Sequence, residues 1–286
     1  MPEWSLPRVQ TEFTYRGIEA AFLENAHLRV MLLPGKGGDV LEFRDKRADV
    51  DVLYHTDHDW QPPDRRRVPT ADQTAWHDTY PGGWQVNLPL AGYADGFEGT
   101  PYGLHGETAL LEWDASVVRN DGDGVALRLE TDLVRYPLSV ERVLRLPAGE
   151  PTLHVEESVT NEGTVDLPYV YQQPLALGRP LVGPAARVDV PAATGVLDPD
   201  PSPNARHPAG ERFDWPVAPA RDGETVDFSR CPSESVESHD MAYATDLEAG
   251  WYAVTNADLD LGFAFSFPTD PFECVWYWGA FGGCEA

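Results

Sequence analysis

The sequence predicts an all-β protein built from large antiparallel sheets, arranged as a β-sandwich. Apolar and polar residues alternate along 125–133, 138–146 and 153–159. Such alternation is typical of strands with one face on a core and the other in water. The 26 prolines and 25 glycines lie between short apolar runs, which favours strands and turns over long helices.

Strands are predicted along most of the chain. Residues 18–54 predict a β meander with a tight turn at 34–38. The polar segment 55–80 is predicted to be irregular, and the alternating strands follow a glycine-rich segment at 81–113. Residues 191–238 are rich in Pro, Asp, Ser and Gly, so we expect one long excursion over the surface. The last predicted strands are 241–247, 251–256, 261–267 and 275–278.

The charge is the strongest compositional signal. The formal net charge is -26, and Lys36 and Lys46 are the only lysines. High salt screens repulsion between carboxylates, so this composition indicates adaptation to a salt-loaded cytoplasm. An ordinary acidic protein is the alternative. Nucleic acid is excluded as a partner, because phosphate binding needs a basic face.

The remaining composition indicates a cytoplasmic protein. Cys231, Cys274 and Cys284 are few and odd in number, which suits a reducing compartment. The chain has no apolar run of about 18 residues and no signal-peptide pattern at its start, so we expect no membrane partner. A monomer or a homodimer is expected.

The segment 81–113 carries the candidate chemistry. It contains Gly-Gly-Trp-Gln at 82–85 and Tyr-Gly-Leu-His-Gly-Glu at 102–107. Glycine allows sharp turns and close approach to a ligand, and His105 can exchange a proton near neutral pH. A structural histidine in a glycine-rich turn is the alternative.

Two polar clusters outside this segment have a structural interpretation. His-Thr-Asp-His-Asp at 55–59 lacks apolar neighbours and a distant third ligand, so we interpret it as a solvated loop and predict no metal. The arginines 65–67 are interpreted as pairing with the acidic surface. A clamp for an anionic sugar is the alternative.

Four motifs in order make the chain resemble the aldose 1-epimerase (galactose mutarotase-like) family. They are LLPGKGG at 32–38, YGLHGE at 102–107, ESVTNEG at 157–163 and VWYWGAFGG at 275–283. The resemblance implies a single galactose mutarotase-like domain over 1–286, with a sugar cleft. It also implies interconversion of the α and β anomers of a free aldose without a cofactor, because the chemistry is proton transfer.

The resemblance transfers only part of the family's site. His105 corresponds to a histidine that holds the sugar near its ring oxygen. Gln173 stands where the family has its acid histidine, and glutamine has no titratable proton. Asp240 matches a sugar-binding aspartate, and His239 beside it is a possible substitute acid.

The family's catalytic glutamate has no match. It lies on a late strand beyond the aromatic tail, and this chain ends at Ala286. The chain is therefore expected to lack its last strand or strands, either as a naturally shortened relative or as a truncated one. Glu107, beside the cleft histidine, is the available acid or base. Glu273 and Glu285 do not fit the motif.

The remaining predicted sugar contacts are Trp84 and Trp278, for stacking on sugar C–H faces, and Gln85 and Asn87, for hydroxyl groups. Trp276 is a further candidate for stacking. Core packing is the alternative for each. Three functions stay open: an aldose 1-epimerase for a neutral hexose, a non-catalytic sugar-binding protein, and an epimerase of a phosphorylated sugar.

Overall fold

The computed structural model describes residues 6–57, 59–62, 74–92 and 99–282. The chain divides between Gly178 and Arg179 into two compact units. The single domain expected over 1–286 stays a prediction.

The first sheet of the first unit confirms the predicted meander. Its five antiparallel strands lie in chain order. They are β1 (Arg8–Tyr15), β2 (Ile18–Glu24), β3 (Leu28–Leu33), β4 (Asp39–Asp45) and β5 (Val50–Asp51). After β5, Leu53 and His55 pair through isolated bridges with Leu177 and Gly82. The segment 52–54 is therefore not a full strand.

The second sheet of this unit also has antiparallel strands in chain order. They are β6 (Asp114–Asp121), β7 (Gly124–Asp132), β8 (Leu138–Pro147) and β9 (His154–Asn161). On β8, the even-numbered residues from 138 to 146 are buried, as the alternation predicts. β1 and β2 pack against β6 and β7, so the two sheets bury their apolar faces together.

One short helix interrupts the segment predicted to be irregular. This is α1 (Thr74–Thr79), the one α-helix among the described residues. Trp60, in the same segment, is buried in an apolar cluster with Ile18 and Leu33. Part of this segment is therefore built into the core.

The second unit contains three antiparallel sheets, with strand orders β12-β11-β15-β18, β10-β16-β17 and β13-β14. Their strands are β10 (Ala186–Asp189), β11 (Ala192–Leu197), β12 (Arg212–Asp214), β13 (Val217–Pro219), β14 (Thr225–Asp227), β15 (Ser238–Leu247), β16 (Trp251–Asn256), β17 (Leu261–Ser266) and β18 (Val275–Phe281). The late strands predicted from the sequence are confirmed.

The predicted surface excursion at 191–238 is wrong. It contains β11 to β14, and Leu197, Ala218, Val226 and Phe228 form much of the second unit's apolar cluster. Three of these strands have only three residues each. Such short strands offer too few positions for a period-two pattern, so their turns dominate the sequence.

Candidate functional site

A short extended segment at 84–88 organises the candidate site in the first unit. Antiparallel bridges join Trp84 to Leu175 and Asn87 to Gln172. Facing residues of an antiparallel pair point to the same side, and neighbours along each chain alternate. Trp84 and Gln173 therefore lie on one face of this pair, and Gln85 and Asn87 lie on the other.

His105 is fixed in a tight glycine turn. It has a φ of 64°, and its backbone N–H donates to the Gly92 carbonyl at 3.2 Å. The Gly92 N–H donates in turn to His105 Nδ1 at 3.0 Å. Because Nδ1 accepts this bond, the ring proton belongs on Nε2. Burial, followed by the nearby His77, lowers the pKa of His105 to about 4. At neutral pH, His105 is therefore an uncharged imidazole with an Nε2–H donor.

Trp76 of α1 forms an aromatic wall beside this histidine. The Trp76 and His105 rings meet edge to face, with centroids 4.7 Å apart. Trp76 also stacks on Tyr80 at 4.3 Å and meets the His77 ring edge to face at 5.2 Å. The side chain of Trp76 is only partly buried. A partly exposed indole next to a fixed N–H donor can offer one ligand both an apolar surface and a hydrogen bond.

A buried polar chain continues from Trp76 into the interior. Trp76 Nε1 donates to Gln85 Oε1 at 3.0 Å, and Gln85 Nε2 donates to Asp39 Oδ2 at 2.9 Å. Lys36 Nζ donates to the same Asp39 oxygen at 2.5 Å, and neither side chain of this ion pair is exposed. Burial raises the pKa of Asp39 and lowers the pKa of Lys36, against the attraction between the two groups.

A second polar cluster surrounds Gln173. Its Nε2 donates to both carboxylate oxygens of Glu157 and to the hydroxyl of Tyr171, each at 2.8 Å. Its Oε1 accepts a bond from Trp84 Nε1 at 2.6 Å. All the hydrogen-bonding groups of this amide therefore have protein partners.

Arg142 completes this second cluster from β8. Its side chain is completely buried, with Nε 2.6 Å from Glu157 Oε1 and the guanidinium 5.1 Å from the centroid of the Trp84 ring. The Nε–H does not point along the line to the carboxylate, so the contact is an ion pair rather than a well-formed hydrogen bond.

The other predicted residues of the first unit have protein partners. Glu107 accepts the backbone N–H groups of Val134 and Arg135 at 3.0 and 3.1 Å, and its side chain is buried. Asn87 is completely buried and donates through Nδ2 to Gln172 Oε1 at 2.9 Å. Trp84 is 5% exposed.

Asp240 and Trp278 belong to the second unit. Asp240 is completely buried and accepts the backbone N–H and Nε of Arg206, at 2.8 and 2.7 Å. Trp278 is 50% exposed and meets His239 edge to face at 5.3 Å. Trp276, two residues before Trp278, is 39% exposed. The sugar-binding roles of Asp240 and Trp278 stay predictions.

Sequence reasoning missed several residues of these clusters, among them Lys36, Asp39, Trp76, Arg142 and Glu157. A signal existed for Arg142, because it occupies an inward position in the apolar alternation of β8. A charge at such a position needs a buried partner. Trp76 carried no signal, since its segment has no period.

The structure also bears on metals and membranes within the described residues. No group of three or more His, Cys, Asp or Glu side chains there is arranged to hold a metal ion. His58 and the arginines 65–67 lie outside the described residues, as do Cys284 and Glu285. No helix in the described part of the chain is long and apolar enough to cross a membrane.

Several solved structures resemble this chain. A candidate aldose 1-epimerase from Klebsiella pneumoniae has a TM-score of 0.71 at 14% identity, over 97% of this chain and 72% of its own. A galactose mutarotase-like protein from Clostridium acetobutylicum has a TM-score of 0.66 at 14% identity, over 98% and 86%. These similarities confirm the predicted all-β, antiparallel, galactose mutarotase-like fold.

A larger protein contains the same fold. A TPR-domain containing protein from Parabacteroides distasonis has a TM-score of 0.62 at 16% identity, over 92% of this chain. The chain spans 38% of that protein's length. No curated protein matches the chain.

The family comparison covers nearly the whole chain. The family described as "Domain of unknown function (DUF4432)" matches residues 15–284. The protein thus combines a galactose mutarotase-like fold with a neutral histidine in a glycine turn, and it belongs to the DUF4432 family.

Proposed function

We propose that the protein binds a free, uncharged hexose at His105 and Trp76, and that it interconverts the sugar's anomers only weakly. The observation that carries this proposal is the fixed Nε2–H of a neutral His105 beside the partly exposed Trp76 ring. The N–H suits an oxygen of the sugar, and the indole suits its C–H face. The galactose mutarotase-like fold supports the same ligand class.

Weak catalysis follows from the states of the polar groups. Anomer interconversion needs one group that gives a proton to the ring oxygen and another that removes the anomeric proton. With a pKa of about 4, His105 is not an imidazolium at neutral pH, so it stabilises the ring oxygen by a hydrogen bond only. Glu107 is held by two backbone N–H groups rather than presented to a ligand.

A non-catalytic sugar-binding protein is the second candidate function. It is favoured by Gln173, whose amide lacks a titratable proton and is fully bonded to Glu157, Tyr171 and Trp84. Both candidates require the sugar to bind at His105, and they differ only in acceleration of anomer exchange.

The test combines binding with anomer exchange. We expect calorimetry to detect a preferred hexose, and His105→Ala to weaken its binding by about 1–3 kcal/mol, the cost of an unpaired hydrogen-bonding group. Polarimetry on freshly dissolved glucose or galactose should show weak, saturable acceleration by the wild type and none by His105→Ala.

Three outcomes decide between the candidates. Strong, saturable acceleration would show that an acid and a base are both in place and would refute weak catalysis. Binding without any acceleration would select the sugar-binding protein. Equal hexose affinity in the wild type and in His105→Ala would remove His105 from the site.

A further inference from the structure

We propose that Trp76 is a positioning residue for His105, and that a buried hydrogen-bond chain through Gln85 anchors Trp76 to the Lys36–Asp39 ion pair. The consequence of this inference for sugar binding rests on the proposed function. The positioning of the His105 ring by Trp76 does not depend on any ligand.

The hydrogen-bond chain joins three segments, in which Gln85 lies 46 residues from Asp39 and nine from Trp76. Lys36 and Asp39 lie in and beside the turn before β4, Gln85 lies on the extended segment, and Trp76 lies on α1. The links are 2.5, 2.9 and 3.0 Å long, in the order Lys36–Asp39, Asp39–Gln85 and Gln85–Trp76. Lys36 and Asp39 have no exposed side-chain surface and Gln85 is 1% exposed, so water does not compete for these bonds.

Chemistry fixes the direction of every link. The indole of Trp76 can only donate, and Asp39 Oδ2 accepts from both Lys36 Nζ and Gln85 Nε2. Gln85 must therefore present Oε1 to Trp76 and Nε2 to Asp39. A flip of this amide would place Nε2 against the indole N–H and Oε1 against Asp39 Oδ2, and Gln85 is buried, so both lost bonds would cost stability. The indole plane is therefore held in one orientation.

This orientation matters because Trp76 is a direct neighbour of His105. The ring centroids are 4.7 Å apart with an interplanar angle of 63°, so a rotation of the indole must displace the imidazole. The turn holds His105 through Gly92, but those bonds involve only Nδ1 and the backbone. Trp76 supplies a contact to the rest of the ring.

The sharpest variant is Trp76→Phe, which keeps an aromatic ring but removes the N–H donor to Gln85. Its matched control is Trp113→Phe. Trp113 is buried in the same unit and donates its Nε1–H to the Thr108 carbonyl at 3.1 Å, so this control loses an indole hydrogen bond that does not involve Gln85. Thermal unfolding of both variants would establish that each is folded.

The readout is the His105 ring itself, followed by NMR on histidine-labelled protein without sugar. We expect the pKa of His105 to rise from about 4 toward 6.5 in Trp76→Phe, because a loosened ring gains water. His77, which also faces His105, is titrated in the same spectra. We expect hexose affinity to fall about fivefold in Trp76→Phe, and both readouts to stay unchanged in Trp113→Phe.

An unchanged His105 pKa in folded Trp76→Phe would overturn the positioning role, whatever the sugar result. If the wild type binds no hexose, the proposed function fails while the NMR result still decides this inference. If Trp76→Phe does not fold, hydrogen exchange of the Trp76 indole N–H in the wild type decides. Slow exchange supports the bond to buried Gln85, and fast exchange overturns it.

Discussion

At the scale of single residues, His105 and Glu107 look equally suited to proton transfer in the sequence, but they have different roles in the structure. His105 keeps Nε2–H as a donor, whereas Glu107 uses its carboxylate to hold the backbone at residues 134 and 135. Both residues are part of one motif in the sequence. Their hydrogen-bond partners come from elsewhere in the chain and determine which of them is available to a ligand.

The lowered pKa of His105 predicts a specific pH dependence of stability. Between pH 6.5 and about 4, the unfolded state binds a proton that the folded state does not. The stability associated with neutral His105 is therefore fully present above pH 6.5 and is lost as pH falls toward 4. The loss is at most about 3.5 kcal/mol, from about 1.4 kcal/mol for each pKa unit.

This prediction is checked by urea unfolding of the wild type and of His105→Gln from pH 7 to pH 4. The wild type should lose more stability than the variant over this range. Other groups titrate in both proteins, so their contributions cancel when the free energies of unfolding of the two proteins are subtracted. Parallel stability profiles would show that His105 is not buried as the structure has it.

At the scale of elements, short irregular segments place the candidate site, while the regular strands form its support. The segment at 84–88 pairs with residues 172–175 on one side and with Val40 on the other. Gly106 forms a parallel bridge to Leu88 with a φ of 80°. These single bridges, rather than the hydrogen-bonded pairing of long strands, bring His105 beside α1.

Gly106→Ala should therefore destabilise the protein. A Cβ at this position would lie 2.5 Å from the Leu88 carbonyl oxygen, in a backbone conformation that is strained for alanine. We expect a loss of about 1–3 kcal/mol in the free energy of unfolding. The control is Gly122→Ala, where a Cβ meets nothing within 4 Å. Equal denaturation midpoints for the two variants would contradict this account of the turn.

At the scale of the whole molecule, charge is the dominant feature. The 47 acidic residues exceed the 21 lysines and arginines by 26, so 26 negative charges are left without a balancing Lys or Arg. Their mutual repulsion opposes the compact state, and salt screens it. Adaptation to high salt stays a prediction that this balance supports.

The melting temperature should accordingly rise between about 0.1 M and about 2 M KCl, because the Debye length falls from about 10 Å to a few Å over this range. Calorimetry at several salt concentrations measures this directly. A melting temperature that is flat across the series would contradict salt adaptation and leave an ordinary acidic protein.

The sequence by itself determined the fold class, the meander of β2 to β4 and the alternating strands β7 to β9. It did so because each of these strands is long enough to display a period. It also identified His105 and Gln85 as polar groups in a glycine-rich segment. The short strands β12 to β14 escaped it, because three residues cannot show alternation.

Only the tertiary structure decided which polar groups meet. Trp76, Gln85 and Asp39 are joined by side-chain bonds that span nine and 46 residues, and no local sequence pattern encodes those bonds. Gln85 and Gln173 look alike in sequence. The antiparallel pairing of 84–88 with 172–175 nevertheless places their side chains on opposite faces, because side chains alternate along each strand. A hydrogen bond depends on the position of both partners, and folding brings these partners together from separate parts of the chain.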